Sequence, residues 1–480
     1  MGKRGRGVIY ASTRSARLSV NRWFARRNNA NNAWNFNGNN GNLNNNNVNN
    51  ANRCQAVTNL PRSQRTQGMN YKQLFPSLVR TYFDTRRNKR YGRDSMSYEM
   101  RWVSNLVEEI RAREDKTLRV RHNYAFLTSI PRWREIMATE FTGRVMDHEI
   151  CEVAIPQAEK VLSPFTFNNR KGKGAQAAMN ALIETITAVT RCDTEPCRII
   201  KLDLKGYFPN ARWDVAEREL CKVLDLAGLD PERTAYLKWL TMLAVNGNPA
   251  AHCERRTPIR LWEQHIDPEK SLFRKPEGIG AAIGRLIWQT AMGLYINDEV
   301  RWLTEEAGLH AVCFVDDIVM VVPEHLHGYA LAQISVLREK LAAKGVRLNE
   351  RKFYDQPHGH GVEFLGSHIR PNRIHLDDKT YAQAVKRIRE LNRIANKSSF
   401  IDPFLCSVNS YFGLLKQRTD YRRMLALRDM IDPSWWQYVR WDDKRKCVTA
   451  QPYWTWRSRM DRKYHLNLKY HGKRRTRPAA

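Results

Sequence analysis

Apolar residues fall along the chain in two rhythms, short dense runs and a helical repeat of about three to four. The densest run, Ala311 to Met320, reads A-V-C-F-V-D-D-I-V-M. Val312, Phe314 and Val315 precede two adjacent acids, Asp316 and Asp317, and Ile318, Val319 and Val321 follow them. Apolar run, acids, apolar run predicts a β-hairpin with the acids at its tip. Upstream, R-I-I-K-L-D-L-K-G-Y-F-P-N spans Arg198 to Asn210. There Ile199, Ile200, Leu202 and Leu204 mark a buried strand that carries Asp203 and is ended by Pro209. Alternation over Leu118 to Thr128 predicts another strand, and V-E-F-L-G-S-H-I, Val362 to Ile369, a short one containing a glycine. Tyr98, Trp102, Leu106 and Ile110 recur at helical spacing, with Glu108, Glu109 and Arg111 on the other faces. Further helices are expected over Ala177 to Val189, from Gly278 to about Leu303, over Tyr329 to Ala343, and through the basic stretch 378–430. Residues 245–277 are polar and basic, with Asn246, Arg255, Arg256 and Arg274, and predict a long loop or insertion.

Composition changes this picture mainly at the ends. A length of 480 residues gives room for roughly three domains. Lys and Arg number 80 against 49 Asp and Glu, a net charge of +31 that points to a polyanionic partner, nucleic acid before anionic membrane. No apolar run approaches the roughly 18 residues needed to span a bilayer, so no membrane partner is expected. The start, M-G-K-R-G-R-G, lacks the apolar segment of a secretory signal, and a cytoplasmic location is the expectation. Nine scattered cysteines without a C-x-x-C pair predict reduced structural thiols and no zinc site. Residues 1–27 mix Arg4, Arg6, Arg14, Arg17, Arg22, Arg26 and Arg27 with Tyr10, Trp23 and Phe24. Such an arm is either disordered or orders on RNA. From Asn28 to Asn52, sixteen of twenty-five residues are Asn, a composition that predicts a solvated linker, although Asn also pairs with adenine. The chain becomes globular from Met69.

Candidate chemistry centres on the acids. Adjacent carboxylates repel, and burying them is costly without a positive partner. An exposed acidic turn is the simple alternative. With Asp203 as a third carboxylate, the cluster suits two Mg²⁺ roughly 4 Å apart and in-line phosphoryl transfer. Within I-P-R-W-R-E-I-M-A-T-E-F-T-G-R-V-M-D-H, Ile130 to His148, a strand would send Arg132 and Arg134 to one face as a fork for phosphate oxygens; otherwise they are basic surface. F-T-F-N-N-R-K-G-K-G-A-Q, residues 165–176, makes a basic glycine turn opening a helix, where Lys171 and Lys173 would meet a nucleic-acid backbone. The order is not that of a Walker A loop, so an ATPase is not expected. Gly278, Gly280 and Gly284 would permit a backbone to approach a base or sugar. The tail from Ser434 interleaves Trp435, Trp436, Trp441, Trp454 and Trp456 with cations, which fits either stacking on single-stranded nucleic acid or packing of a small subdomain. A look-alike acid pair ends Y-V-R-W-D-D, Tyr438 to Asp443. Lys444, Arg445 and Lys446 follow it, so no return strand is expected and those cations should satisfy Asp442 and Asp443 at the surface.

In this order the parts resemble a reverse transcriptase over about Tyr71 to Met430. Asp203 to Pro209 resembles palm motif A, and G-A-A-I-G-R-L-I-W-Q, Gly280 to Gln289, motif B. F-V-D-D, Phe314 to Asp317, resembles the Y-x-D-D of motif C, Leu348 to Lys352 motif D, and Phe364-Leu365-Gly366 the F-L-G of motif E. The resemblance implies an α/β (α+β) right-hand polymerase fold. It would comprise a basic and Asn-rich extension 1–68, fingers 69–197, a palm 198–375 with an inserted loop 245–277, a helical thumb 376–430 and a Trp-rich tail 431–480. It implies that Asp203, Asp316, Asp317 and the Leu204 carbonyl hold two Mg²⁺, with Mn²⁺ as a substitute, and that Lys352 protonates or neutralises the leaving group. Arg132, Arg134, Phe208 and Gly284 would bind the incoming dNTP, Phe208 as a steric gate against a ribose 2′-OH. Arg170, Lys171, Lys173, Gln289, Trp454 and Trp456 would contact nucleic acid.

The fingers segment, F-N-N-R-K-G-K-G-A-Q and S-V-N-S-Y-F-G-L-L-K (Ser407 to Lys416) are similar to bacterial reverse transcriptases of diversity-generating retroelements and of defence-associated, unknown-group lineages. Phe314 replaces the usual Tyr, and Trp288 stands where Ser is usual, which implies altered primer–template handling. The expected function is RNA-directed DNA synthesis in antiphage defence, with a dedicated noncoding RNA as template, dNTPs as substrates and a low-complexity DNA as product. A second protein or self-association is a further partner to consider. The mutagenic polymerase of a diversity-generating element and a catalytically silent nucleic-acid-binding scaffold are the alternatives.

Overall fold

The structure is a computed structural model that describes residues 27–29, 32–37 and 42–47, then 71–87, 92–120, 123–129, 132–455 and 460. The basic arm, apart from Arg27, and Trp456 lie outside the described residues. Where composition predicts a linker, Arg27–Asn29, Asn32–Asn37 and Asn42–Asn47 run as antiparallel strands. Helix and sheet are mixed along the chain, and two units form. One comprises Met1–Leu162, Gly206–Asn297 and Ala343–Val346; the other comprises Ser163–Lys205, Asp298–Ala342 and Arg347–Ala480. The chain crosses between the units once inside the segment expected as fingers, after Leu162, and four times inside the segment expected as palm.

In the first unit, the stripe Tyr98, Trp102, Leu106 and Ile110 is buried. It spans two helices, Arg93–Glu99 and Trp102–Glu114, where one was expected. Tyr82 stacks on Trp102 with ring centroids 5.1 Å apart, closing this core against the helix Tyr71–Thr85. The next strand begins at Asn123 rather than Leu118; Asn123–Thr128 pairs antiparallel with Arg134–Thr139 and parallel with Cys253–Arg255. The polar stretch 245–277 is therefore no plain loop. It adds that strand and the helix Ile259–His265, and it is organised on one buried carboxylate. Glu135 accepts hydrogen bonds from Trp262 Nε1, Ser271 Oγ and the Leu272 N–H, each at 2.8 Å. Three donors satisfy this buried acid. The helix expected from Gly278 starts only at Leu286; it runs to Tyr295 and is followed by the helical segments Asn297–Arg301 and Trp302–Glu306. Gly278, Gly280 and Gly284 have φ of 83°, 110° and 117°, which no helix accommodates.

In the second unit a four-stranded antiparallel sheet has the order Tyr354–Pro357, Cys197–Asp203, Asp317–Pro323, His310–Phe314. Ile199, Val312, Val319 and Val321 pack with Met179, Leu182 and Ile186 of the helix Ala175–Val189. On the opposite face Ile200, Leu202, Met320 and Val322 are buried as well. Cover on both faces is why these strands read as dense apolar runs without alternation. The predicted strand Val362 to Ile369 is instead a hairpin, Val362–Phe364 against Ser367–Arg370, with Leu365 and Gly366 both at positive φ in the turn. Helices Asp378–Asn392, Ile401–Lys416 and Tyr421–Asp429 follow. Their core includes the tail: Trp435 is 0% exposed and stacks on Phe404 at 3.9 Å. The return strand ruled out after Asp443 does form, Val439–Asp442 pairing with Cys447–Ala450. Packing of Val439 and Val448 into the helical core supplies the apolar contact that the intervening cations lack. As expected, local cations meet the acids, Lys446 on Asp443 at 2.9 Å and Arg445 near Asp442 at 3.8 Å. Among the described residues no helix is long and apolar enough to cross a membrane.

Candidate active site at the acidic turn

The hairpin predicted around Asp316 and Asp317 is present, and its position in the sheet brings the third acid to it. Phe314 pairs with Asp317, so Val315 and Asp316 make a two-residue turn. On the other side of the same strand, Asp317 stands directly opposite Asp203 in the antiparallel register. The turn is tied to the Asp203 strand because the Leu204 N–H donates to the Asp316 carbonyl at 2.9 Å. Like charges directly opposite each other on neighbouring strands are destabilising, and the chain supplies two ammonium groups against that repulsion. Lys352 Nζ lies 2.6 Å from Asp203 Oδ1, and Lys201 Nζ lies 3.2 Å from Asp317 Oδ1. Asn349 donates its side-chain amide to Asp203 Oδ2 at 2.9 Å and its N–H to the Asp203 carbonyl at 2.8 Å. Beneath the turn, the buried Cys313 thiol is pushed up to about 12, by burial first and then by the charges of Asp317 and Asp316.

Among the described residues, no three His, Cys, Asp or Glu side chains converge as a ready-made metal-binding group. Lysines occupy Asp203 and Asp317 instead. The donors expected at the turn, three carboxylates and the Leu204 carbonyl, are oxygen throughout, the chemistry that a hard divalent cation takes.

The other expected residues are dispersed. Arg170 donates to the Ser163 and Thr166 carbonyls at 2.7 and 2.8 Å, and Lys173 bonds the Pro164 carbonyl with its ammonium 4.8 Å from the Phe167 ring. Both brace their own loop, while Lys171 is exposed. Trp454 is half-buried against the helical core, 5.5 Å from Tyr438. In the first unit, Arg132 and Arg134 are exposed, but the strand begins at Arg134, so strand alternation does not align them. Trp133 between them stacks on His265 at 4.0 Å. Phe208 is half-buried in a turn where its carbonyl accepts from the Ala281 N–H at 2.8 Å. The close approach at Gly284 is to protein: an added Cβ would lie 3.0 Å from the Met137 carbonyl oxygen. Gln289 is half-buried on the helix Leu286–Tyr295, and Trp288 is fully buried beside it, in contact with core rather than solvent.

Sequence reasoning missed Lys201 and Asn349. Lys201 had a signal, since a strand puts it on the same face as Asp203 two residues on.

No family model matches the chain, and no curated protein matches it. Among solved structures it is similar to telomerase from Candida tropicalis. The apo form truncated from the C-terminal domain gives a TM-score of 0.39 at 11% identity, covering 54% of this chain and 55% of that one. The apo form gives 0.40 at 10%, covering 65% and 62%. The complex with the TWJ fragment of telomeric RNA gives 0.37 at 9%, covering 66% and 54%. The chain thus spans between half and two thirds of the telomerase chains it matches. Similarity at this level identifies neither a family nor an activity.

Proposed function

We propose that the chain is an RNA-directed DNA polymerase whose active site is the acidic turn. The observation that carries this reading is the register of Asp203 against Asp317, with Asp316 in the connecting turn and Lys352 on Asp203. Asp203, Asp316, Asp317 and the Leu204 carbonyl would hold two Mg²⁺, or Mn²⁺. Bound there, the ions would supply Lewis-acid activation of a hydroxyl and charge neutralisation on the triphosphate. The primer 3′-oxygen then forms its bond to the α-phosphorus as the bond to pyrophosphate breaks, and the hydroxyl proton leaves to solvent. Lys352, released from Asp203, would neutralise the departing pyrophosphate. For the triphosphate and sugar the reading relies on sequence resemblance alone, through Arg132, Arg134, Phe208 and Gly284. The same resemblance supports a bacterial antiphage role with a noncoding RNA template.

The test is incorporation of labelled dNTPs on RNA and DNA templates by the wild type and Asp316→Ala, followed by sequencing of the DNA made with and without co-purified RNA. Metal-dependent synthesis lost in the variant, with circular dichroism unchanged, is expected. Full activity of Asp316→Ala would refute the site.

A second reading has its own support. With lysines already on Asp203 and Asp317, the acidic turn would also suit a non-catalytic scaffold that binds nucleic acid through its positive charge. That reading expects RNA binding indifferent to chelator and no incorporation with any metal.

A further inference from the structure

The turn that carries Asp316 is held from outside the sheet. Val315 has φ +59°, and among the described non-glycine residues at positive φ it is the only β-branched one. A two-residue hairpin loop with positive φ at its first position normally holds glycine there, and a β-branched side chain is disfavoured. Hydrogen bonds grip the turn from two directions. The Val315 N–H donates to Asn168 Oδ1 at 3.2 Å, and the Asp316 carbonyl accepts from the Leu204 N–H at 2.9 Å. Asn168 is buried and is itself fixed, because its loop is bonded to the hairpin strand. The Phe167 N–H donates to the Cys313 carbonyl at 3.0 Å, and the Cys313 N–H to the Phe165 carbonyl at 2.9 Å.

We infer that Asn168 is a positioning residue that holds Val315 in its left-handed conformation and so aims the Asp316 and Asp317 carboxylates. Its consequence for rate rests on the polymerase reading above; its consequence for the turn does not. Strained backbone of this kind persists only where the surroundings over-determine it. Here Asn168 reaches the turn from 147 residues away in sequence and supplies part of that determination.

The experiment is a double-mutant cycle on the full chain: wild type, Asn168→Ala, Val315→Gly and the double variant, with Asn168→Asp as the conservative control. Asn168→Ala is expected to lower kcat for primer extension by about tenfold with KM for primer–template little changed. In the Val315→Gly background the same substitution should cost less than about twofold, because glycine takes positive φ unaided. Asn168→Asp keeps an acceptor for the Val315 N–H and should fall between wild type and Asn168→Ala. Thermal midpoints of the four proteins read the same coupling without any activity. Equal losses in both backgrounds, or no loss from Asn168→Ala, would overturn the inference. A wild type that never incorporates nucleotide, with the midpoint coupling intact, would refute the polymerase reading and leave the role of Asn168 standing.

Discussion

Lys352→Met separates a metal site from a permanently lysine-filled one. Lys352 Nζ lies 2.6 Å from Asp203 Oδ1. At an effective dielectric of about 20 the bare attraction at that distance is roughly 6 kcal/mol. The Lys352 side chain is 47% exposed against 9% for Asp203, so water screening and the entropy of a long side chain reduce the net value to about 1–2 kcal/mol. Without metal, Lys352→Met should therefore lose about that much stability in urea unfolding, since Asp203 then relies on the Asn349 amide and still faces Asp317. With metal the sign reverses. A cation that binds Asp203 in the wild type must displace the ammonium, so removing the ammonium should tighten Mg²⁺ binding by about tenfold, equivalent to roughly 1.4 kcal/mol. Calorimetric titration of Mg²⁺ into both proteins, alone and with a non-hydrolysable dNTP, reads the difference. Nucleotide incorporation should fall at the same time. Identical Mg²⁺ affinity in the two proteins would mean that metal and lysine do not compete for Asp203, and the proposed ligand set would be wrong.

Three further outcomes follow from other parts of the chain. Phe208→Ala should admit ribonucleotides in competition assays against dNTPs, and unchanged discrimination would remove Phe208 as the gate. Glu135→Leu orphans three donors at about 1 kcal/mol or more each; limited proteolysis should then cut within residues 253–274, and an unchanged digest would show that Glu135 does not hold this insertion. Asp355 is raised by burial but lowered more by hydrogen bonds from Arg198 and His327, so its folded pKa lies below the ordinary value. Its contribution to stability is present above the unfolded pKa of about 3.9 and is lost as pH falls through the folded value. Asp355→Asn should flatten that acid limb of the unfolding curve, and an unaltered limb would contradict the assignment.

The three acids were legible because each interrupts an apolar run, a pattern that needs only nearest neighbours. Their mutual placement follows from strand pairing, which also made the hairpin legible. What could not be read is what depends on a backbone angle or a distant backbone group. Leu365 and Gly366 at positive φ fold one expected strand into a hairpin, and Gly280 and Gly284 delay the expected helix to Leu286. Asn168 acts on the Val315 N–H, a partner that carries no side-chain signature and lies far away in sequence. The local use of charged side chains was equally illegible. Arg170 and Lys173 look like phosphate ligands, yet a loop with unpaired carbonyls uses them first. The tryptophans of the tail were equally ambiguous, since an indole that stacks on a base is also large enough to complete a helical core, and Trp435 does the latter.

The two lysines also bear on when a cation would bind. A sheet that sets Asp203 opposite Asp317 repels itself unless positive charge is supplied, and here the chain supplies it covalently through Lys201 and Lys352. Folding of this unit would then not require metal, unlike a site whose ligands gather only around an ion. A free cation arriving alone meets tethered competitors at both carboxylates. A cation arriving with a triphosphate brings its own oxygen ligands, and the phosphates offer the displaced ammonium groups a new anionic partner. Mg²⁺, which keeps several ligands outside the protein and binds through few carboxylates plus substrate phosphates, matches that order of events. The lysine-filled arrangement is thus what a nucleotidyl-transfer site would adopt between substrates, which is why the nucleotide arm of the Mg²⁺ titration, rather than metal alone, decides between enzyme and scaffold.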